Sequence, residues 1–141
     1  MIKWDDAYST GVTTIDEQHK RLFEFVNDLQ GAVQETEIDK TLILRVLDFF
    51  EKYAVEHFGK EETCMYRFKC PIAQTNQIAH QNFIETYTHY RGLLNKEGAS
   101  RQLFSAISSW IEGWLMNHIC KIDVQLRPYV KAKPSTNTDN N

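Results

Sequence analysis

The chain has 141 residues, enough for one buried core and too few for two ordinary ones. Lysine and arginine number 16 against 19 aspartates and glutamates, a net charge of −3, so no basic field is available to hold nucleic acid or an anionic membrane. The start, Met-Ile-Lys-Trp-Asp-Asp, lacks the apolar run of a secretory signal, and no stretch approaches the roughly 18 apolar residues of a membrane span, so the expected setting is the cytoplasm.

Helical periodicity dominates the rest. After an irregular arm from Trp4 to Thr14, His19, Leu22, Val26, Leu29 and Val33 recur at three-four spacing, with Asp16 or Thr14 as the expected N-cap. A second stripe begins near Asp39 and runs through Leu42, Val46, Phe49, Tyr53, His57, Glu61 and Cys64. It must end before Cys70-Pro71, because proline disfavours helix in the residue before it. The third stripe is Asn76, His80, Phe83, Tyr87, Tyr90 and Leu94, and stops near Gly98. The fourth, after a Ser100 cap, is Leu103, Ile107, Trp110 or Ile111, Trp114 and His118, and is expected to end near Pro128. These segments predict an all-α fold, an antiparallel up-down-up-down four-helix bundle over residues 1–132 with an irregular N-terminal arm. The polar, Asn-rich stretch 133–141 is expected to be a disordered tail.

Each apolar stripe turns polar toward one end, and in an antiparallel bundle those ends coincide. His19 lies near the start of the first helix, His57 and Glu61 near the end of the second, Asn76 and His80 near the start of the third, His118 and Asp123 near the end of the fourth. Unpaired carboxylates in such a layer cost several kcal/mol, roughly, so they need a cationic partner. His57 and Glu61 are four apart and share a helix face, whereas His118 and Asp123 are five apart, about 140° around a regular helix. The spacing therefore predicts that Asp123 either reaches sideways or sits on a locally widened turn, a distortion between Ile119 and Asp123.

Imidazole nitrogens with carboxylate oxygens and no thiolate suit iron, manganese or zinc, and two carboxylates able to bridge suit a pair of ions. A closed tetrahedral zinc site would not use so many ligands. Two divalent ions bring four positive charges, which two carboxylates and a bridging hydroxide reduce to one. His89, nine residues past His80, faces the opposite side and is expected at the surface. Glu62 also turns outward, as a solvated charge. Phe58, Leu22, Phe23, Leu115, Trp114 and Ile119 are available to line an apolar pocket or simply to pack the core. The cysteines Cys64, Cys70 and Cys120 are odd in number and are expected to be reduced. Gly59 interrupts the second stripe at a cost in helix propensity for no reason visible in the sequence.

Several separated motifs resemble the hemerythrin family, in particular its single-domain bacterial members. Trp4-Asp5-Asp6 and Gly11-Val12, then Ile15-Asp16-Glu17-Gln18-His19, are similar to that family's arm and first ligand. His57-Phe58-Gly59-Lys60-Glu61-Glu62 matches its His-x-x-x-Glu motif, and Trp114-Leu115, His118-Ile119 and Asp123 match its last-helix His-x-x-x-x-Asp. The resemblance covers about residues 2–131. It implies a non-haem di-iron centre, with carboxylate and oxo or hydroxo bridges, that binds O₂ reversibly as a hydroperoxide at one iron. It implies His19 and His57 on the iron that takes O₂, Glu61 and Asp123 as bridges, and His80 and His118 on the other iron.

The family's third helix normally supplies His-x-x-x-His, and here the first of that pair is Asn76. An asparagine oxygen is a weaker donor than imidazole and can leave its position to water. The expectation is a di-iron site with one under-coordinated iron. Alternatives are a site in which only one iron is tightly held and an unaltered oxygen carrier. The functional expectation is storage, transport or sensing of O₂, with azide or NO as further small ligands and an unknown protein partner allowed for. The rival readings are a di-iron oxidase or peroxidase and a metal-stabilised sensor module. Ferritin-like oxygenases use Glu-x-x-His pairs, and none occurs in this chain, which favours binding over catalysis.

Overall fold

The computed structural model describes residues 2–35 and 37–131. The tail expected over 133–141 lies outside them. Four long helices, α1 (Thr13–Glu35), α2 (Lys40–Arg67), α3 (Ala73–Glu97) and α4 (Arg101–Lys121), are followed by a 3₁₀ turn (Asp123–Leu126) and a short α5 (Arg127–Lys131). Among the described residues there is no strand, and no helix is long and apolar enough to cross a membrane. Helices α1 and α3 each pack on both α2 and α4, the square of an up-down-up-down bundle.

Local chemistry sets most of the boundaries. The Asp39 carboxylate accepts from Leu42 N at 2.8 Å at the start of α2, and the Ser100 hydroxyl accepts from Leu103 N at 3.0 Å at the start of α4. Gly98, with φ 84°, caps α3 in the left-handed region that glycine tolerates.

The expected cap of α1 is corrected. The helix begins at Thr13, and Asp16 sits inside its first turn. Its carboxylate instead gathers the arm, accepting from Ser9 Oγ at 2.6 Å, Thr10 N at 2.8 Å and Thr10 Oγ1 at 2.9 Å. The arm is also tied to the C-terminal end of the bundle, where Arg127 donates to the carbonyls of Ser9 and Asp6. Gly11 supplies the left-handed φ of 85° at the bend where the arm runs beside Val130 of α5.

Two of the stripes shift locally. In α2 the expected Val46, His57, Glu61 and Cys64 are buried, but Phe50 and Ala54 face the core where Phe49 and Tyr53 were expected, and in α4 Phe104 replaces Leu103 beside the buried Ile107, Ile111 and His118. Helix α4 also ends earlier than expected. Its ladder stops with Ile122 N donating to His118 O at 2.9 Å, and Gln125 N then donates to Ile122 O, a three-residue step. The widened turn that the spacing suggested is corrected: the ladder stays regular through Ile122 and then tightens into the 3₁₀ turn. Pro128 does not terminate this helix; it occupies the first turn of α5, where its missing N–H costs nothing.

The core is split in two. A large apolar cluster runs from Leu22, Phe58 and Phe83 to the far end of the bundle, and a smaller one contains Val12, Ile15, Cys64, Met65, Phe68, Cys70, Ala73 and Leu126. Along each of the first three long helices the polar residues fall between these clusters: His19 between Ile15 and Leu22, Glu61 between Phe58 and Cys64, Asn76 and His80 between Ala73 and Phe83. Cys64, Cys70 and Cys120 form no disulfide among the described residues.

Candidate metal centre

His19 on α1, His57 and Glu61 on α2, His80 on α3, His118 on α4 and Asp123 on the 3₁₀ turn meet in that layer, every one of them buried. They form two overlapping donor groups. His19, His57, Glu61 and Asp123 make one, and Glu61, His80, His118 and Asp123 the other; within each group one donor atom per residue lies within 4.8 Å of the rest. Glu61 spans the two: its Oε2 is 3.1 Å from His19 Nε2 and 3.2 Å from His57 Nε2, its Oε1 3.0 Å from His80 Nε2. Asp123 does the same, with Oδ2 3.2 Å from His19 Nε2 and Oδ1 3.0 Å from His118 Nε2. His89 is exposed, as expected of the histidine left out of the layer.

Whether these residues suit metal ions is decided by where the protons go. His57 Nδ1–H donates to Gln18 Oε1 at 2.6 Å, and His80 Nδ1–H donates to Glu62 Oε2 at 2.8 Å. Both rings therefore turn an Nε2 lone pair inward, toward carboxylate oxygens that are also acceptors. His80 Nε2 further lies 3.1 Å from His118 Nε2. Neither oxygen of Asp123 receives a well-directed hydrogen bond, although both are buried. Lone pairs converging on one another without a donor need cations between them, and nitrogen and carboxylate donors suit first-row metals. The donor set fits a pair of such ions.

Without metal, protons take that role. Burial opposes charge on His19, but Asp123 and Glu61 overcome it and raise its pKa from 6.5 to about 9. His118 follows the same pattern, burial being outweighed by Asp123 and Glu61, and rises to about 10. Burial dominates at His57 and lowers its pKa. Burial would raise Glu61, but His57, His118 and His19 around it hold it well below the usual carboxylate range.

Asn76 is fully buried, and both its amide oxygen and its amide nitrogen lack a partner. It lies one turn before His80 on α3 and does not cap that helix, whose start has no side-chain cap. An amide buried without partners costs about 1–3 kcal/mol, so the position is poorly explained by packing alone.

Two outer residues escaped the reading of the sequence. Gln18 gives no signal beyond its place before His19. Glu62, expected as a solvated charge, is only a quarter exposed in its side chain and is bonded to His80 across the α2–α3 seam. Aromatic rings complete the enclosure: Phe58 stacks on His80 with centroids 3.8 Å apart and planes at 7°, and Trp114 stacks on His118 at 4.4 Å and 12°. Beside them Leu22, Phe50, Ala54, Phe58, Phe83, Ile111, Trp114 and Leu115 line an apolar cavity. Its free volume is about 10 Å³, at the lower limit for a single water molecule. Four of the six expected pocket residues line it, while Phe23 and Ile119 are buried elsewhere in the core.

The Hemerythrin HHE cation binding domain matches residues 10–130. A bacteriohemerythrin of Stenotrophomonas maltophilia is 28% identical over 132 residues, covering 94% of this chain and 83% of that one. One from Pseudomonas aeruginosa is 31% identical over 116 residues, covering 82% and 72%. A solved structure of wild-type hemerythrin superposes with a TM-score of 0.76 at 25% identity, covering 92% of this chain and 98% of its own.

Proposed function

The chain belongs to the hemerythrin family, and on that premise we propose that it is a cytoplasmic non-haem di-iron protein that binds O₂ reversibly, with one iron position altered by Asn76. In this reading His19 and His57 would hold one iron, His80 and His118 would hold the other, and Glu61 and Asp123 would be shared between them. The observation that carries it is the pair of buried donor groups sharing both carboxylates. When bound, the iron pair supplies two adjacent one-electron reductants, which suits reversible capture of O₂ better than a single ion.

The chain's own residues would do the rest. Gln18 and Glu62 hold the Nδ1 protons of His57 and His80, so that both Nε2 lone pairs stay aimed at the metals. Phe58 covers one face of the His80 ring and Trp114 one face of the His118 ring, and the small cavity beside them offers an apolar space that a diatomic ligand, O₂ or NO, would enter by slight displacement of its lining. Asn76 offers a carboxamide oxygen where the family has an imidazole, and leaves that metal one strong donor short. The short donor set is the one observation that favours a second reading, oxidase or peroxidase chemistry, because an exchangeable position admits exogenous ligands.

Loading with Fe²⁺ under anaerobic conditions, adding O₂ and then removing it separates the two. The binding reading expects a visible absorption that appears with O₂ and vanishes when O₂ is removed. Irreversible oxidation accompanied by turnover of a reducing substrate would favour the enzyme.

A further inference from the structure

We propose that Glu62 is a positioning residue that retains the metal held by His80 and His118, offsetting the donor lost at Asn76. This inference rests on the di-iron reading. Two contacts fix the His80 ring. Phe58, stacked at 3.8 Å and 7°, sets the plane of the imidazole. Stacking cannot tell one edge of the ring from the other, because a half-turn about the Cβ–Cγ bond leaves the plane unchanged. That half-turn would exchange Nε2 with Cε1 and present carbon to Glu61. The bond from Nδ1 to Glu62 Oε2 at 2.8 Å resolves the choice, since only Nδ1 can donate to a carboxylate.

The acceptor's charge matters as well as its place. His57 gives its Nδ1 proton to a neutral carboxamide, Gln18, and His19 Nδ1 has no partner. His80 gives its proton to a carboxylate. A hydrogen bond to an ionised acceptor is roughly twice as strong as a neutral one, and it makes the opposite nitrogen a better donor to a metal. The reinforcement thus falls on the group that contains His80, on the same helix as the missing imidazole. Glu62 can serve in this way because it is rooted next to Glu61 on α2 while its carboxylate reaches a solvent-facing groove lined by Gly59, Gln77 and Gln81. There it keeps part of its hydration, with the side chain 25% exposed.

The test uses the full chain loaded anaerobically with ⁵⁷Fe²⁺, comparing wild type with Glu62→Gln and Glu62→Ala. Iron loss to a ferrous chelator is timed, and Mössbauer spectra identify which iron leaves. Glu62→Ala should release one of the two irons about tenfold faster or more and alter only that iron's quadrupole doublet. Glu62→Gln, which keeps an acceptor oxygen but not the charge, should fall between. The metal-free variants should keep the wild-type helix content, and the thermal midpoint of Glu62→Ala should fall by no more than the loss of one hydrogen bond explains. Release of both irons at wild-type rates from Glu62→Ala would overturn the inference, as would equal acceleration of both, which would mark a merely structural tie between α2 and α3. A wild-type chain that binds no iron pair would instead defeat the di-iron reading itself, and this inference with it.

Discussion

Metal loading at neutral pH should expel protons, and their number follows from the layer's electrostatics. In the metal-free chain the carboxylates hold His19 protonated up to about pH 9 and His118 up to about pH 10. His57 has its pKa lowered by burial and brings no proton to displace. Each metal entering at pH 7 therefore displaces one imidazolium proton, at a cost on the order of 3 kcal/mol at His19 and 4 kcal/mol at His118. Displacing these two protons alone should raise affinity for the pair about 100-fold per pH unit from pH 7, a contribution that levels off as the two groups titrate. Anaerobic calorimetric titration with Fe²⁺ in two buffers of different ionisation enthalpy counts these protons directly. About three per pair is the expected result, two from the imidazoles and one from the water that becomes the bridging hydroxide, and uptake without proton release would overturn this account. The same shifts set stability. Raised imidazole pKa values contribute stability that is complete below the ordinary value of 6.5 and lost as pH climbs through about 9 and about 10. The depressed Glu61 contributes above its ordinary 4.5 and loses that contribution as pH falls. The metal-free thermal midpoint should thus fall on both sides of neutrality, and the alkaline fall should be absent from the metal-loaded chain.

Asn76→His should restore the missing donor, so iron loss to a chelator should slow by about tenfold or more; an unchanged rate would show that Asn76 does not face the metal. Gly59→Ala should stabilise the chain by about 0.5–1 kcal/mol in urea unfolding, because the residue lies inside α2 and an added Cβ would meet nothing within 4 Å. Phe104→Ala removes a ring with 0% exposure from the main cluster and should cost about 3–5 kcal/mol in the same assay.

The bundle and its ligand layer were legible because both depend on local rules. Asp39 and Ser100 cap helices through bonds to residues three positions on, and an up-down order forces four polar stripe ends into one plane. A departure from the regular ladder near Asp123 could be foreseen, since Asp123 could not share the face of His118 on a regular helix, but its sense could not: the backbone tightens where a wider turn was expected. What the sequence concealed was set by partners distant along the chain. Asp16 looked like a cap, but its carboxylate went to Ser9 and Thr10 of the folded arm. Glu62 looked solvated, because nothing local reveals that His80, 18 residues on, turns its Nδ1 toward it. Pro128 could be read as a stop signal but not as the opening turn of α5, which exists because Arg127 and Val130 pack on the arm.

The central claim is that Glu61 and Asp123 each serve two metals. Counting iron per chain in wild type and in Glu61→Ala, after anaerobic loading and removal of excess Fe²⁺, tests it most directly. Two irons in the wild type, and loss of both when Glu61 is truncated, are predicted. A wild type that holds one iron or none, or a Glu61→Ala chain that still holds two, would contradict it.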